Sequence, residues 1–289
     1  MTLSDVAAVT HLGWDTVKEI VKGDLGRRYQ KVSVRGVRYL AIDEFHVGAK
    51  AKFMTVVIDL ESGRILWVAK GRGADALRKF FRRLRLGRAR IEAVACDMSA
   101  AYWSAVLRYL PKAAIVFDHF HIIKLANEKI DELRRALQRE AGILERRYIK
   151  GTRYLLLMGA ENVPEHRREA LEAALQFNEP LSFAYYLKEE LRLLWSQGSF
   201  GAMRRYLEAW CAQAMESGIV QMISLAKTLR LHAAGILNYS KHPISTGKLE
   251  GINNKIKTLK RRAYGYRDEA FFVLKLYSLH ESKLRFSGC

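Results

Sequence analysis

Two aspartates follow apolar runs at positions where their side chains could do chemistry together. Asp43 comes after the run that contains Leu40 and Ile42, and Asp97 comes after residues 94–96. An acid that ends a buried strand lies at the edge of its sheet, so two such acids on neighbouring strands would meet at one rim. Neighbouring carboxylates repel unless a cation lies between them, and Mg²⁺ favours such oxygen ligands. Each acid taken alone is more simply a strand-end turn residue.

Glu250 is a third acid, and it precedes a strongly basic stretch, TGKLEGINNKIKTLKRRAYGYRD at 246–268. A helical ion pair would need a basic residue three or four positions on, where the chain has two asparagines. Apolar residues at helical spacing predict a helix with one buried stripe: Leu249, Ile252, Ile256, Leu259 and Ala263. If that stripe packs on the sheet beside the two aspartates, Glu250 reaches the same metal ions.

The basic residues that follow Glu250 then lie along the anion that the metals hold. They are Lys255, Lys257, Lys260, Arg261, Arg262 and Arg267. Two metal ions about 4 Å apart can activate a water or a 3′-hydroxyl and stabilise the leaving oxygen of an in-line phosphoryl displacement. On this hypothesis Glu250 binds the phosphate backbone through the metal ions, and the lysines and arginines contact the phosphates directly.

The composition supports a polyanionic partner. The 289 residues carry a formal net charge of +19 and a sequence pI near 9.9, so nucleic acid is the first candidate and a membrane surface the weaker one. Hydrophobic residues make up 49%, enough for a substantial core. We find no apolar run long enough to span a bilayer and no export signal. Cys96, Cys211 and Cys289 form neither a zinc-binding CxxC pair nor a disulfide framework, and a cytoplasmic location is expected.

The elements that must position the acids can be predicted in outline. Near the N-terminus, Ser4 is expected to cap a helix from Asp5 to Thr10, and Gly13 separates it from a second helix over 14–21 with Val17, Ile20 and Val21 apolar. Helix, glycine turn and helix is the layout of a helix-turn-helix, although any two short helices give the same pattern.

The following segment is predicted to form a mixed α/β sheet. Three β-rich runs come first, at 37–45, 53–60 and 64–70, followed by a helix at 74–88. A strand at 91–98, a helix at 100–110 and a strand at 113–120 complete the order. From about 121 to 241 the pattern is helical nearly throughout. Trp195 and Trp210 lie there at helical spacing beside leucines and are interpreted as core; the alternative is a stacking platform for a flipped base.

At this point the chain resembles a known family, the ISL-three family of bacterial DDE-type insertion-sequence transposases. The matching stretches are LAIDEFHVG at 40–48, VACDMSAAY at 94–102, VFDHFHIIKLAN at 116–127, GTRYLLL at 151–157 and KLEGINNKIKTLKRRAYGYRD at 248–268. The resemblance implies a ribonuclease-H-like core, a triad of Asp43, Asp97 and Glu250 that holds two Mg²⁺ or Mn²⁺ ions, and action as a homo-oligomer on DNA at the bacterial nucleoid.

The resemblance also implies a division of the chain. It predicts a partial helix-turn-helix at 1–30, the first part of the core at 31–125, a helical insertion at 126–241 and a C-terminal core helix at 242–289. The family's cysteine-rich zinc-binding segment has no counterpart here, so we expect only weak selectivity for the element's terminal repeats. Asp118 and His121 resemble a D-x-x-H signature near the site; a purely structural hydrogen-bonded role is the alternative.

Two other functions remain open on the sequence. A ribonuclease-H-like nuclease would use the same acids, but it would need neither a long helical insertion nor N-terminal DNA-reading helices. A truncated, non-catalytic DNA-binding or regulatory protein would keep the basic surface without turnover. The intact acids favour the catalytic alternative, and a strand-cleavage assay distinguishes the three.

Overall fold

Strands form at the predicted β-rich runs. The computed structural model describes residues 2–47, 53–142, 146 and 149–280. Two compact units divide the chain, Met1–Ala113 with Ser245–Cys289, and Ala114–Ile244. The first unit holds four strands: β1 (Tyr39–His46), β2 (Phe53–Asp59), β3 (Ile65–Lys70) and β4 (Ala93–Cys96).

The four strands of the first unit form one mixed sheet in the order β3-β2-β1-β4. The pairs β1–β2 and β2–β3 are antiparallel, as in the predicted meander, whereas β1 and β4 run parallel. Parallel neighbours require a crossover, and the chain between β3 and β4 supplies it with the helix α3 (Ala74–Leu86). The predicted adjacency of the first and fourth strands is therefore confirmed.

Helices cover both faces of this sheet, as its alternating side chains require. On one face lie α3 and α4 (Ala100–Tyr109), where the Trp67 indole N–H donates to the Ala76 carbonyl at 2.8 Å. The helices at the end of the chain pack on the other face, and the Phe45 ring lies 6.5 Å from the Phe272 ring.

Two helices precede the sheet. The first helix, α1 (Leu3–Thr10), begins two residues earlier than the sequence predicts, because Thr2 and Asp5 form a reciprocal capping box and Ser4 is not the cap. The second, α2 (Trp14–Tyr29), runs well past the predicted end at Val21. Val17 is buried as predicted, but Ile20 is 59% exposed and does not belong to a buried stripe.

The second unit starts with a short strand, β5 (Ala114–Phe117), and its described remainder is helical, as predicted. Its α-helices are α5 (His119–Glu140), α6 (Arg153–Leu157), α7 (Glu165–Gln176), α8 (Glu179–Arg192), α9 (Phe200–Glu216), α10 (Val220–Leu231) and α11 (Ala233–Leu237). The predicted boundary at 125/126 falls inside α5. Trp210 is buried and donates to the Leu187 carbonyl at 2.7 Å, which confirms its core role.

The chain then returns to the first unit with α12 (Gly247–Arg262) and α13 (Glu269–Tyr277). Cys96 and Cys211 are buried free thiols, and Cys289 lies outside the described residues. No helix in the described part of the chain combines the length and the apolar character needed to cross a membrane.

Candidate active site

Asp43 lies inside β1 and not at its end, contrary to the sequence prediction. The strand continues through Glu44 and Phe45 because β2 pairs with it as far as His46↔Phe53. The parallel pairing with β4, however, stops at Ala41↔Ala95. Asp43 therefore lies two residues beyond the last rung that joins β1 to β4, at the rim of that strand pair but not at the end of β1.

Asp97 is the first residue after β4, as the sequence predicts. One of its carboxylate oxygens accepts the Ser99 backbone N–H at 3.0 Å. The parallel register pairs Tyr39 with Ala93, an offset of 54, and the same offset separates Asp43 from Asp97 (97 − 43). Extended two residues beyond its last pair, Ala41↔Ala95, this register would set Asp43 opposite Asp97, and neighbouring strands lie about 4.8 Å apart.

The helix α12 lies along β1 and is attached to the sheet at three levels. Near its start the Lys248 ammonium donates to the Leu60 carbonyl at 2.5 Å, and near its end the Lys260 ammonium donates to the His46 carbonyl at 2.9 Å. Between them the Asn253 amide donates to Asp43 Oδ2 at 2.8 Å. From Lys248 to Lys260 the helix rises about 18 Å, and from Tyr39, opposite Leu60, to His46 the strand extends about 23 Å, so the two are of similar length.

Asn253 is a site residue that the sequence reasoning missed. Its amide holds one oxygen of Asp43, and the Glu44 backbone N–H holds the other at 2.8 Å, so the carboxylate is fixed on both sides. The Oδ1 atom of Asn253 is buried and accepts no hydrogen bond from the described residues. The one available signal was its spacing, three residues after Glu250 and thus on the same helical face.

Glu250 is exposed in the first turn of α12. The predicted stripe beneath it is buried at Leu249, Ile252 and Ile256, but Leu259 is only half-buried and Ala263 is an exposed C-cap residue. Within the described residues, no group of three or more His, Cys, Asp or Glu side chains is close enough to hold a metal ion. The geometry thus brings the two aspartate strands and α12 together, and Glu250 stands one turn before the contact with Asp43.

Glu44 points to the opposite face from Asp43, as the alternation of a strand predicts. Its carboxylate accepts the Tyr102 hydroxyl at 3.3 Å, and that hydroxyl also lies 3.3 Å from the Thr55 hydroxyl. Burial, together with the negative charges of Glu44 and Asp97, raises the pKa of Tyr102. This buried network ties α4 to the sheet immediately behind the two aspartates.

The predicted DNA-binding residues fall into two groups. Lys255, Lys257, Arg261, Arg262 and Arg267 are exposed. Lys260 is half-buried and, as described above, binds a backbone carbonyl of β1, so it is less available to a phosphate than the sequence suggests.

Asp118 and His121 belong to the second unit. Asp118 follows β5, occupies the N-cap position of α5 without a side-chain capping hydrogen bond and is 1% exposed. Its carboxylate lies 3.4 Å from His121 Nδ1 and 3.7 Å from His119 Nδ1. These are ion-pair distances and not hydrogen bonds, so the hydrogen-bonded structural alternative also stays a prediction. Their role near an active site stays a prediction.

Comparisons with known proteins agree on one family. The model of the ISL-three (ISL3) DDE transposases, described as "Transposase", matches residues 40–276. The transposase for insertion sequence element IS1001 of Bordetella parapertussis is 39% identical over 275 residues, covering 94% of this chain and 68% of the relative. The transposase for insertion sequence element IS1557 of Mycobacterium tuberculosis is 30% identical over 305 residues, covering 95% of this chain and 67% of the relative.

A solved structure described as the Drosophila P element transposase strand transfer complex is a more distant likeness. The match covers 85% of this chain and 77% of the P element transposase chain, with a TM-score of 0.41 and 12% sequence identity. It adds nothing about individual residues. The family match and the two bacterial relatives are sufficient. The chain belongs to the ISL-three family of DDE transposases, DNA-binding polynucleotidyl transferases with a ribonuclease-H-like core that use divalent metal.

Proposed function

We propose that this chain cleaves and joins DNA strands at insertion-sequence ends with Asp43, Asp97 and Glu250 as its catalytic acids. The observation that carries the proposal is the register of β1 and β4, whose offset of 54 equals the separation of the two aspartates. The second support is the attachment of α12 to Asp43 through Asn253, which ties the helix that carries Glu250 to the same rim.

The donor set at this rim fits divalent metal. Carboxylate oxygens are hard ligands, and the buried Asn253 Oδ1 lacks a donor within the described residues, so it is suited to a cation or a bound water. We propose that Asp43, Asp97 and Glu250 hold two Mg²⁺ or Mn²⁺ ions. When bound, such ions activate the attacking oxygen and stabilise the leaving oxygen of a phosphoryl transfer.

The protein's own residues then position the reaction. Asn253 and the Glu44 backbone N–H fix the Asp43 carboxylate before substrate arrives, which removes the entropic cost of ordering it later. The exposed basic residues of α12, with Arg267 just beyond, bind the phosphates on either side of the scissile bond. The glutamate and the lysines thus share one helix because both contact one strand of DNA.

We propose further that the molecule acts as a homo-oligomer on DNA in the bacterial cytoplasm, at the nucleoid. An insertion element has two ends and each chain supplies one set of acids, so two chains are needed to process both ends together. We also keep the division into an N-terminal helix-turn-helix, a split core and a helical insertion, and the near-site role of Asp118 and His121, as proposals.

A cleavage assay tests the proposed function. The substrate is duplex DNA carrying the element's own ends, taken from the genomic boundaries of a copy of the element. Nicked and joined products are expected with Mg²⁺ or Mn²⁺ and not with a chelator. Equal product with and without chelator would refute the metal-dependent mechanism. Tight DNA binding without product at any metal concentration would favour the non-catalytic alternative.

A further inference from the structure

The helix α12 ends in an unusual cap. The Gly265 N–H donates to the Lys260 carbonyl and the Tyr264 N–H donates to the Arg261 carbonyl, both at 3.1 Å. These two bonds define a Schellman motif whose left-handed position is normally a glycine. Here that position is Tyr264, with φ of +49°. A bulky residue is disfavoured in this conformation because its Cβ crowds the backbone.

Tyr264 is also 101% exposed, so its ring packs against none of the residues that the structure describes. Folding therefore gains nothing from an aromatic residue at this position, and glycine would suit the backbone better. Backbone strain held at a fully exposed side chain indicates a role in binding and not in folding.

The loop that carries Tyr264 is held firmly on both sides. Before it stand the two cap bonds of α12. After it, the Tyr266 ring packs 4.8 Å from the Phe272 ring, and the Asp268 carboxylate accepts the Phe271 N–H at 2.9 Å. The two tyrosines of the YGY sequence thus have opposite tasks: Tyr266 anchors the loop, and Tyr264 projects from it.

The surroundings of Tyr264 point to nucleic acid. Arg261, Arg262 and Arg267 flank it and are exposed. An aromatic ring among phosphate-binding cations is the arrangement with which proteins hold single-stranded or distorted DNA, because every base offers a face for stacking. A surface that binds a protein partner would be expected to present a larger apolar patch. The immediate neighbours of Tyr264 are instead the small exposed residues Ala263 and Gly265.

We infer that Tyr264 stacks on an unstacked base of the DNA whose phosphates α12 binds. This inference rests on the proposed DNA contact of α12 and adds to it a preference for locally opened DNA. The ring supplies contact with a base, and the arginines supply contact with the backbone.

The test compares two probes, a fully paired duplex and the same duplex with a short central mismatched bubble, at matched salt. Wild type should bind the bubble about tenfold more tightly, a typical value for one aromatic–base stack. Tyr264→Gly should abolish this preference, leave affinity for the paired duplex unchanged, and leave the melting temperature unchanged or raised. Tyr264→Phe should keep the preference because it keeps the ring.

Tyr154→Ala is the matched control, since Tyr154 is 69% exposed beside an arginine in the other unit. It should keep the bubble preference. A wild-type protein that binds paired DNA but shows no preference for the bubble overturns the inference and leaves the proposed function intact. Retention of the preference in Tyr264→Gly also overturns it, and a change of oligomeric state in that variant would assign the ring to a contact between copies. Absence of all DNA binding would instead refute the proposed function.

Discussion

At the scale of single residues, the Asp43 carboxylate is the most constrained group of the candidate site. Both its oxygens accept hydrogen bonds, one from the Asn253 amide and one from the Glu44 backbone. A side chain held in this way keeps its orientation without metal or DNA. Catalytic ligands gain from such support because a displacement of about 1 Å can cost a large factor in rate.

Replacing Asn253 by alanine should weaken metal use more than DNA binding. Loss of the amide frees Asp43 to rotate, and loss of a residue that orients a metal ligand typically costs about 10- to 100-fold in metal affinity or activity. The measurement is the Mn²⁺ concentration that gives half-maximal strand cleavage, which should rise. Asn254→Ala is the control because Asn254 is the exposed neighbour. An equal effect of the two substitutions would contradict a positioning role for Asn253.

The sequence predicts some site positions and not others, for physical reasons. Asp97 could be placed at a strand end because β4 is short and wholly apolar. The end of β1 was placed too early at Asp43, because two consecutive acids, Asp43 and Glu44, look like the end of a strand. In the fold, pairing with β2 extends β1 past both of them. Asn253 gave no signal, because an amide on a polar helix face looks like solvent-exposed surface until the fold brings it to Asp43.

At the scale of elements, α12 joins the sheet to the proposed DNA surface. Its buried residues, Leu249, Ile252 and Ile256, are apolar, and its lysines and arginines concentrate in the second half. Positive charges in the last turn interact favourably with the negative end of the helix dipole. Lys260, Arg261 and Arg262 therefore also stabilise α12 itself.

Neutralising the exposed basic residues of α12 should reduce the salt dependence of DNA binding. Alanine at Lys255, Lys257, Arg261 and Arg262 removes four candidate phosphate contacts, and each contact contributes about 0.9 to the slope of log affinity against log salt. The slope should therefore become shallower by about 3.6. Alanine at Arg167, Arg168, Arg204 and Arg205 removes the same charge from exposed positions of the other unit. An equal change in both variants would mean that net charge, and not α12, determines binding.

Asp268 should contribute stability that depends on pH. It caps α13 and binds Lys18 and Lys22 of α2, and the Lys22 ammonium, the Phe271 N–H and Lys18 hold the pKa of its carboxyl below the ordinary value of 3.8. A depressed pKa in the folded state stabilises the protein above the unfolded value, and this stabilisation is lost as the pH falls below about 4.

The comparison of Asp268→Asn with wild type by urea unfolding measures this effect. Asparagine keeps the helix cap and loses the charge, so the variant should be less stable at pH 7 and approach wild type as the pH falls below about 4. Asp268→Ala should lose about 1 kcal/mol more at both pH values, because it also loses the cap. If the difference in the free energy of unfolding between wild type and Asp268→Asn is the same at pH 7 and at pH 3, the Asp268 charge is not the source of the pH-dependent stability.

Element boundaries show where local sequence signals give way to tertiary contacts. The apolar pattern over 14–21 predicts an end for α2 at Val21, yet the helix continues through Gly23 and Gly26 to Tyr29. Buried Leu25 and the ion pairs of α2 with Asp268 compensate for the low helix propensity of glycine. The buried stripe of α3, by contrast, follows its helical spacing because Leu77, Phe80, Phe81 and Leu84 all enter the core.

At the scale of the whole molecule, the order of strands and helices and the adjacency of β1 and β4 were predictable, whereas the side-chain contacts of α12 with the sheet were not. The β-rich runs and the helical spacing of apolar residues indicated three strands in a meander followed by alternating helices and strands. The mixed sheet follows from that order. The charge of +19 indicated a nucleic-acid partner, which agrees with the transposase family. The lengthwise match of α12 with β1 depends on three hydrogen bonds between residues that are distant in sequence, and no local pattern reveals them.

The most direct measurement of the central claim is strand cleavage by single variants of the three acids. Wild type, Asp43→Ala, Asp97→Ala and Glu250→Ala are compared on DNA carrying the element's ends, with Glu44→Gln as the control beside Asp43. We predict no product above the protein-free level for the three alanine variants, DNA affinity close to wild type for all of them, and normal cleavage by Glu44→Gln. Cleavage by Glu250→Ala at the wild-type rate would contradict the account, because the helix α12 would then bind DNA without supplying a catalytic acid.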